Sequence, residues 1–84
     1  MPTISSFYGI RIYLNLAGKE HNLPHVHAQY GEYQATFKIK EKELLAGKFP
    51  LRATKMVIEF IEKYEEELLN MWESETYTKL KGLD

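Results

Sequence analysis

Between residues 25 and 40, polar and apolar side chains alternate on both sides of a break at Gly31 and Glu32. Such alternation, with a period of two, predicts two β-strands that each bury one face. Because glycine at the first central position of a two-residue loop favours a type II′ turn, the two strands are expected to form a hairpin. The resulting register pairs Tyr30 with Tyr33, Ala28 with Ala35, His27 with Thr36, Val26 with Phe37 and His25 with Lys38.

The two faces of the predicted hairpin differ in their chemistry. The apolar face is suited to a core and consists of Val26, Ala28, Tyr30, Tyr33, Ala35, Phe37 and Ile39. The other face is polar and basic and consists of His25, His27, Gln29, Gln34, Thr36, Lys38 and Lys40. A slip of the register by one residue would mix the two sets, so the pattern itself favours this pairing.

Alternation also appears before the hairpin, and a short apolar run follows it. Aliphatic residues at every second position over residues 7–16 predict a strand, with a bulge at Gly9. Residues 44–48 predict a further short strand. We therefore expect three or four strands, in an antiparallel sheet.

Beyond Pro50 the period of the apolar residues changes from two to between three and four. Proline is well placed as the first residue of a helix, and the apolar residues from Ala53 to Trp72 would share one helical face. The acidic run at 65–67 is where one long helix is expected to divide into two. Residues 74–84 lose the apolar pattern and are expected to fray.

Together these elements predict an α+β fold, a three- to four-stranded antiparallel sheet with one face covered by one or two C-terminal helices. Eighty-four residues suffice for a single domain over residues 1–84. So little helix can cover only one face of the sheet. The histidine-bearing face is therefore expected to stay open to solvent or to a partner.

Composition adds a charge asymmetry and a cellular location. Residues 1–55 hold eight basic and four acidic residues, whereas residues 56–84 hold three and eight, so a basic sheet half adjoins an acidic helical half. The chain has no cysteine, no apolar run long enough for a membrane helix and no signal-peptide pattern. We expect a cytoplasmic protein without contact to a membrane.

The histidine pair on the polar face has a metal interpretation and a structural one. His25 and His27 stand two apart on one strand face, about 6.5–7 Å between Cα atoms, and could share an ion with His21 or Glu20. Alternatively, the histidines only satisfy hydrogen bonds around the turn at Pro24. We predict no resident metal and no cofactor.

A basic face that carries histidines also suits RNA. One imidazole could accept a proton and the other donate one, in metal-independent, ribonuclease-like chemistry. Lys38, Lys40 and Arg11 could stabilise charge that develops on phosphate oxygens. Without catalysis, the same face could bind RNA, with Tyr8 and Tyr13 stacking on bases.

Four segments of the chain are similar to those of a known family. The segments MPTISSFYGI at 1–10, HNLPHVHA at 21–28, YGEY at 30–33 and LAGKFP at 45–50 resemble the domain-of-unknown-function 4160 family. Its members are small bacterial proteins, commonly encoded beside another small protein. Some are regarded as the toxin of a type II toxin–antitoxin pair, with that neighbour as the antitoxin. The resemblance implies a toxin-like role and a protein partner.

We therefore expect a toxin-like protein that acts on RNA or on translation through its histidine face and is neutralised by a small neighbour-encoded protein. The alternative is a non-enzymatic binding module with a His-x-His metal or protein-interaction site. A homo-oligomer is also compatible with so small a chain. The expected catalytic residues are His25, His27 and Lys38, and the expected binding residues are His21, Tyr8, Arg11 and Lys40.

Overall fold

The computed structural model describes residues 3–15 and 23–84. Its elements are β1 (Thr3–Phe7), β2 (Ile10–Tyr13), β3 (His25–Tyr30), β4 (Tyr33–Lys38), β5 (Glu43–Lys48), α1 (Leu51–Lys63) and α2 (Glu65–Ser74). The strands form one antiparallel sheet in chain order, β1-β2-β3-β4-β5. The predicted α+β class is confirmed. The predicted three or four strands are too few, because the described residues form five.

The hairpin of β3 and β4 has the predicted register. Tyr30 pairs with Tyr33, and the pairing continues without a shift to His25 and Lys38. Gly31 has a φ of 59°, while Glu32 does not adopt a positive φ, as a glycine in the first position of a type II′ turn requires. Alternation with period two therefore assigned every side chain of this hairpin to its correct face.

The extra strand arises from a tight turn at Tyr8 and Gly9. Both residues have positive φ values, 50° and 80°, and Phe7 pairs with Ile10 across the turn. Two central residues with positive φ are the mark of a hairpin turn. The prediction of one strand with a bulge at Gly9 was wrong because a bulky aromatic residue such as tyrosine rarely occupies this conformation.

Both helices cover the apolar face of the sheet, as predicted. Phe7 of β1 stacks on Phe60 of α1 with 5.1 Å between ring centroids, and both side chains are buried. Pro50 is the N-cap of α1, so the helix begins at Leu51, one residue later than predicted. The chain divides into two helices at Tyr64, which agrees with the break expected near the acidic run.

The C-terminal segment, residues 75–84, is docked rather than frayed. The backbone N–H of Leu80 donates to the carbonyl O of Ile4 (2.7 Å), so the segment lies against β1. The backbone N–H of Tyr8 donates to the side-chain carboxylate of Asp84 (3.3 Å). Both Leu80 and Leu83 pack against the core. These few apolar contacts have no regular spacing, which is why the sequence pattern did not predict them.

The two helices are short and amphipathic. Neither of them, nor any other helix among residues 3–15 and 23–84, has the length and apolar character needed to cross a membrane.

Candidate functional site

His25 and His27 lie next to each other on the polar face of the sheet, and α2 reaches this face only where Trp72 meets His25 among the described contacts. They belong to β3, two residues apart, and their rings meet edge to face with centroids 5.2 Å apart. Both side chains are half-buried. We call the polar side of the sheet the histidine face; its described members on β2, β3 and β4 are Arg11, Tyr13, His25, His27, Gln29, Gln34, Thr36 and Lys38.

His25 is held at the base of the hairpin by the loop that precedes it. A carbonyl can only accept a hydrogen bond, so the Nδ1–H of His25 donates to the carbonyl O of Leu23 (2.8 Å). The ring also contacts Trp72 of α2 edge-on, with centroids 5.0 Å apart. Only the Nε2 atom of His25 is then left for chemistry. This environment matches the structural interpretation of the histidines for one of the two rings.

His27 has a more chemically useful environment. Its ring stacks on Tyr13 of β2, with centroids 5.6 Å apart and an angle of 14° between planes. The Nδ1 atom lies 3.3 Å from the hydroxyl of Thr36 on β4. Burial lowers the pKa of His27 below its ordinary value of 6.5, and the positive charge of His25 lowers it further. His27 is therefore a neutral imidazole at neutral pH.

A shallow depression of about 230 Å³ adjoins His27 on this face. Its walls include Tyr13, Thr36 and Gln34, and its far side is formed by Ala46 and Gly47 of β5. These two small residues leave room above the sheet where larger side chains would fill the space. The depression is a concave part of the histidine face beside His27.

Lys38 lies directly across from His25 in the hairpin, as predicted. Its Nζ atom already donates to a carboxylate oxygen of Glu43 (3.0 Å), in an ion pair that is partly exposed. Exposed pairs of this kind contribute little, about 0–1 kcal/mol. A ligand phosphate could therefore replace Glu43 as the partner of Lys38.

Three of the four predicted binding residues lie in the described part of the chain, and these three do not converge on the histidines. Arg11 pairs with Gln29, two residues along β3 from His27, or about 7 Å. Lys40 is exposed beyond the end of β4, and its carbonyl accepts a hydrogen bond from Lys42.

Of the remaining two predicted binding residues, the structure describes only Tyr8. Tyr8 is in the β1–β2 turn, next to the end of β3 that carries Tyr30. His25 begins that strand, five residues and about 16 Å away. His21 lies outside the described residues.

The pairings of β2 with β3 and of β4 with β5 each add one group that the sequence did not place beside the predicted site residues. Tyr13 is the register partner of His27. Glu43 forms an ion pair with Lys38, the residue expected to supply a free positive charge. The contact between Tyr13 and His27 has no local sequence signal, because it joins strands whose pairing follows only from the order of the sheet, whereas Lys38 and Glu43 are only five residues apart. Within the described residues, no three His, Cys, Asp or Glu side chains cluster closely enough to hold a metal ion.

A family model described as Domain of unknown function (DUF4160) matches residues 9–73, most of the chain. The chain belongs to the DUF4160 family. The match includes every described residue of the histidine face and both helices almost to the end of α2. No curated protein matches the chain, and no solved structure does. The membership of DUF4160 therefore gives a family without assigning an activity to the histidine face.

Proposed function

We propose that this protein is the toxin-like component of a bacterial type II toxin–antitoxin system that acts on RNA, or on the translation machinery, through its histidine face. The observation that carries the proposal is the pair of adjacent imidazoles on an open sheet face, of which one, His27, is kept neutral by burial and by its neighbour. A basic half of the chain surrounds them. The family likeness supports the biological role.

The reaction that fits these groups is metal-independent cleavage of a phosphodiester. In such a reaction a base takes the proton of the ribose 2′-hydroxyl while the 2′-oxygen attacks phosphorus. An acid gives a proton to the departing 5′-oxygen. A neutral His27 can act as the base. His25, whose Nδ1–H is bound to Leu23, can act as the acid through Nε2 in its protonated form.

Lys38 would stabilise the negative charge that develops on the phosphate oxygens. It lies across the hairpin from His25, and a substrate phosphate must first compete with Glu43 for its Nζ atom. Arg11, farther along the same face, would hold the next part of the RNA chain by its phosphate. Lys40, Tyr8 and His21 remain proposed binding residues at greater distance or outside the described residues.

Growth arrest and RNA cleavage test this proposal with matched variants. Growth is followed while the parent protein, the variant His27→Ala or the double variant His25→Ala/His27→Ala is expressed from a tightly controlled promoter. Each purified protein is then incubated with end-labelled RNA in a buffer that contains a metal chelator. Removing a positioned acid or base should slow cleavage by about 100-fold or more. Gln29→Ala, on the same strand and face, is the control and should retain activity.

Two outcomes would contradict the proposal. If the folded double variant arrests growth as well as the parent does, the histidine face is not the working surface. If the parent itself neither arrests growth nor cleaves RNA, the toxin role is wrong.

We also propose that the neighbour-encoded protein neutralises the toxin by binding it. The basic sheet half suits an acidic partner surface. Co-expression should give a complex that survives purification, and the complex should no longer arrest growth. A partner that fails to co-purify and to restore growth would contradict this part of the proposal.

A second candidate is a non-enzymatic binding module, and one observation favours it. The Nδ1 atom of His25 and the Nζ atom of Lys38 are already engaged by Leu23 and Glu43, as in a binding surface whose side chains are fixed in place. This version predicts RNA or protein binding without cleavage. Calorimetry with zinc would test its metal form, for which a dissociation constant weaker than about 10 μM would be evidence against a built site.

A further inference from the structure

A second concave region lies at the other end of the sheet, where the β1–β2 turn approaches the start of α1. We call it the tyrosine cleft. It has a volume of about 240 Å³, and the residues used below are Tyr8, Ile10, Tyr30, Arg52, Ala53 and Met56. None of the proposed catalytic residues lines the tyrosine cleft. Tyr8, also a proposed RNA-binding residue, lines the cleft, but neither His25 nor His27 does, so a ligand here does not depend on the proposed catalysis.

The floor of the tyrosine cleft is apolar. Ile10 of β2 and Ala53 of α1 belong to the buried core, and Met56, one turn farther along α1, is half-buried beside them. Methionine is a flexible, polarisable side chain that packs well on flat rings. An apolar group of the ligand would therefore be buried here and not merely held at the surface.

Two tyrosine rings form the rim. Tyr8 is 57% exposed and Tyr30 is 39% exposed, which is unusual for large aromatic side chains so close to a core. Tyr30 is fixed in position, since its ring passes Gly9 so closely that an added Cβ there would lie 3.3 Å from it. Phe49 packs beside the same ring, with centroids 6.3 Å apart. The rim is thus preformed for contact with a flat ring.

Arg52 supplies an exposed positive charge at the cleft. The side chain is exposed and forms no ion pair or hydrogen bond with the residues that the structure describes. The first turn of α1, to which Arg52 belongs, contains no acidic residue and has no side-chain cap. A guanidinium group presents paired N–H donors that match the two oxygens of a carboxylate.

We propose that the tyrosine cleft binds a small aromatic carboxylate, with its ring between the tyrosine rim and Met56 and its carboxylate on Arg52. The cleft is smaller than the 300–1,000 Å³ typical of sites for drug-sized molecules, so it suits one ring and not a fused polycyclic ligand. The apolar floor selects the ring, and the unpaired guanidinium selects the anion. A neutral compound of equal shape leaves Arg52 without its partner.

The test uses phenylacetate as the probe and NMR titration of the ¹⁵N-labelled full chain as the readout. Phenylacetate should shift the amide signals of Arg52 and Ala53 and of the β1–β2 turn in a saturable way. Phenylacetamide, which has the same shape and no charge, should bind at least about tenfold more weakly. The signals of His25 and His27 should not follow the same titration.

Variants with matched charge changes complete the test. Arg52→Gln should weaken phenylacetate binding by at least about tenfold, whereas Lys55→Gln, which removes an exposed positive charge one turn along α1, should leave it unchanged. Tyr8→Ala alters an exposed side chain and should weaken binding without unfolding the protein. Far-ultraviolet circular dichroism of each variant verifies that it is folded.

Several results would overturn the proposal. These are the absence of saturable shifts up to about 10 mM phenylacetate, equal binding of phenylacetate and phenylacetamide, and equal losses in Arg52→Gln and Lys55→Gln. Binding of a peptide that ends in phenylalanine, without binding of free phenylacetate, would overturn the small-molecule assignment and indicate a peptide site.

Discussion

The two ends of the sheet differ in how far their polar groups are already satisfied. At the end where β3 begins, His25 is bound to the carbonyl of Leu23 and Lys38 to the carboxylate of Glu43. At the end where β3 finishes, the guanidinium of Arg52 is exposed and unpaired among the described residues. The first end resembles a set of positioned reactive groups, and the second resembles an empty receptor for an anion.

The same difference holds for the rings. His27 is packed between Tyr13 and His25, so its position is fixed by neighbours and its chemistry is set by burial. Tyr8 is exposed and has a left-handed backbone conformation, with φ near 50°. Strained residues of this kind often belong to binding sites, where structure around them holds the strain. The groups at the histidine end thus already have partners, whereas the tyrosine cleft combines a fixed ring, Tyr30, with exposed groups that a ligand could contact.

The largest effect should come from Trp72→Ala, a core residue that touches the histidine end. Trp72 is 4% exposed and supports the ring of His25, so truncation should lower the free energy of unfolding by about 3–5 kcal/mol. Urea denaturation measures the loss. Trp72→Phe keeps most of the ring and should lose less. In the protein that remains folded, the NMR signals of His25 should move while the signals of the tyrosine cleft stay in place.

Two glycines provide the second contrast. An added Cβ at Gly47, beside the depression near His27, would lie 2.4 Å from the carbonyl O of Gln34, whereas at Gly31 it would meet nothing within 4 Å. Both have positive φ. Gly47→Ala should therefore lower the free energy of unfolding by about 2–5 kcal/mol, and Gly31→Ala by about 1–2 kcal/mol. Equal losses in thermal denaturation would show that the backbone contact at Gly47 is not tight.

Tyr8→Asn should produce a smaller effect of opposite sign. Asparagine tolerates the left-handed region far better than an aromatic residue, so the strain at Tyr8 is relieved and the free energy of unfolding should rise by up to about 1 kcal/mol. Binding at the tyrosine cleft should weaken in the same variant, because its rim is lost. Denaturant titration and the phenylacetate titration together measure the two changes. A destabilised Tyr8→Asn protein would contradict the assignment of strain to this residue.

The smallest effect concerns pH. The pKa of His27 is lowered by burial and by the charge of His25, so below pH 6.5 the unfolded chain takes up a proton more readily than the folded one. The contribution of His27 to stability is present above pH 6.5 and is lost as the pH falls from there towards the lowered pKa.

NMR titration of the histidine ring signals separates the two causes of the lowered pKa of His27, which are burial and the charge of His25. His25→Gln removes the like charge and should raise the pKa of His27, although burial should still hold it below 6.5. Gln29→Ala, a control on the same face, should leave the pKa unchanged. If the pKa of His27 does not respond to His25→Gln, the two rings do not interact in the way their 5.2 Å separation implies.

Much of the fold was predictable because its signals are local. The period-two pattern gave the register of β3 and β4, since a shift by one residue would expose the core face. The spacing of the apolar residues gave the helical layer, and the acidic run indicated the break at Tyr64. The adjacency of His25 and His27 follows from the same hairpin, which is why the central part of the histidine face could be proposed from the sequence.

Other features depend on contacts between distant parts of the chain. The turn at Tyr8 and Gly9 makes the predicted strand begin at Ile10 and joins it to β1, most of which precedes the predicted strand. Tertiary packing there overrides the low preference of tyrosine for positive φ. The docking of Leu80 on Ile4 has no periodic signal.

The sequence by itself determined which side chains share a face, since that follows from the geometry of a single strand or helix. Only the tertiary structure decided which faces and ends meet. It placed Tyr13 against His27 and brought the β1–β2 turn to the first turn of α1. Side-chain direction repeats along the chain with a fixed period, whereas contact between segments depends on how the whole sheet pairs and packs.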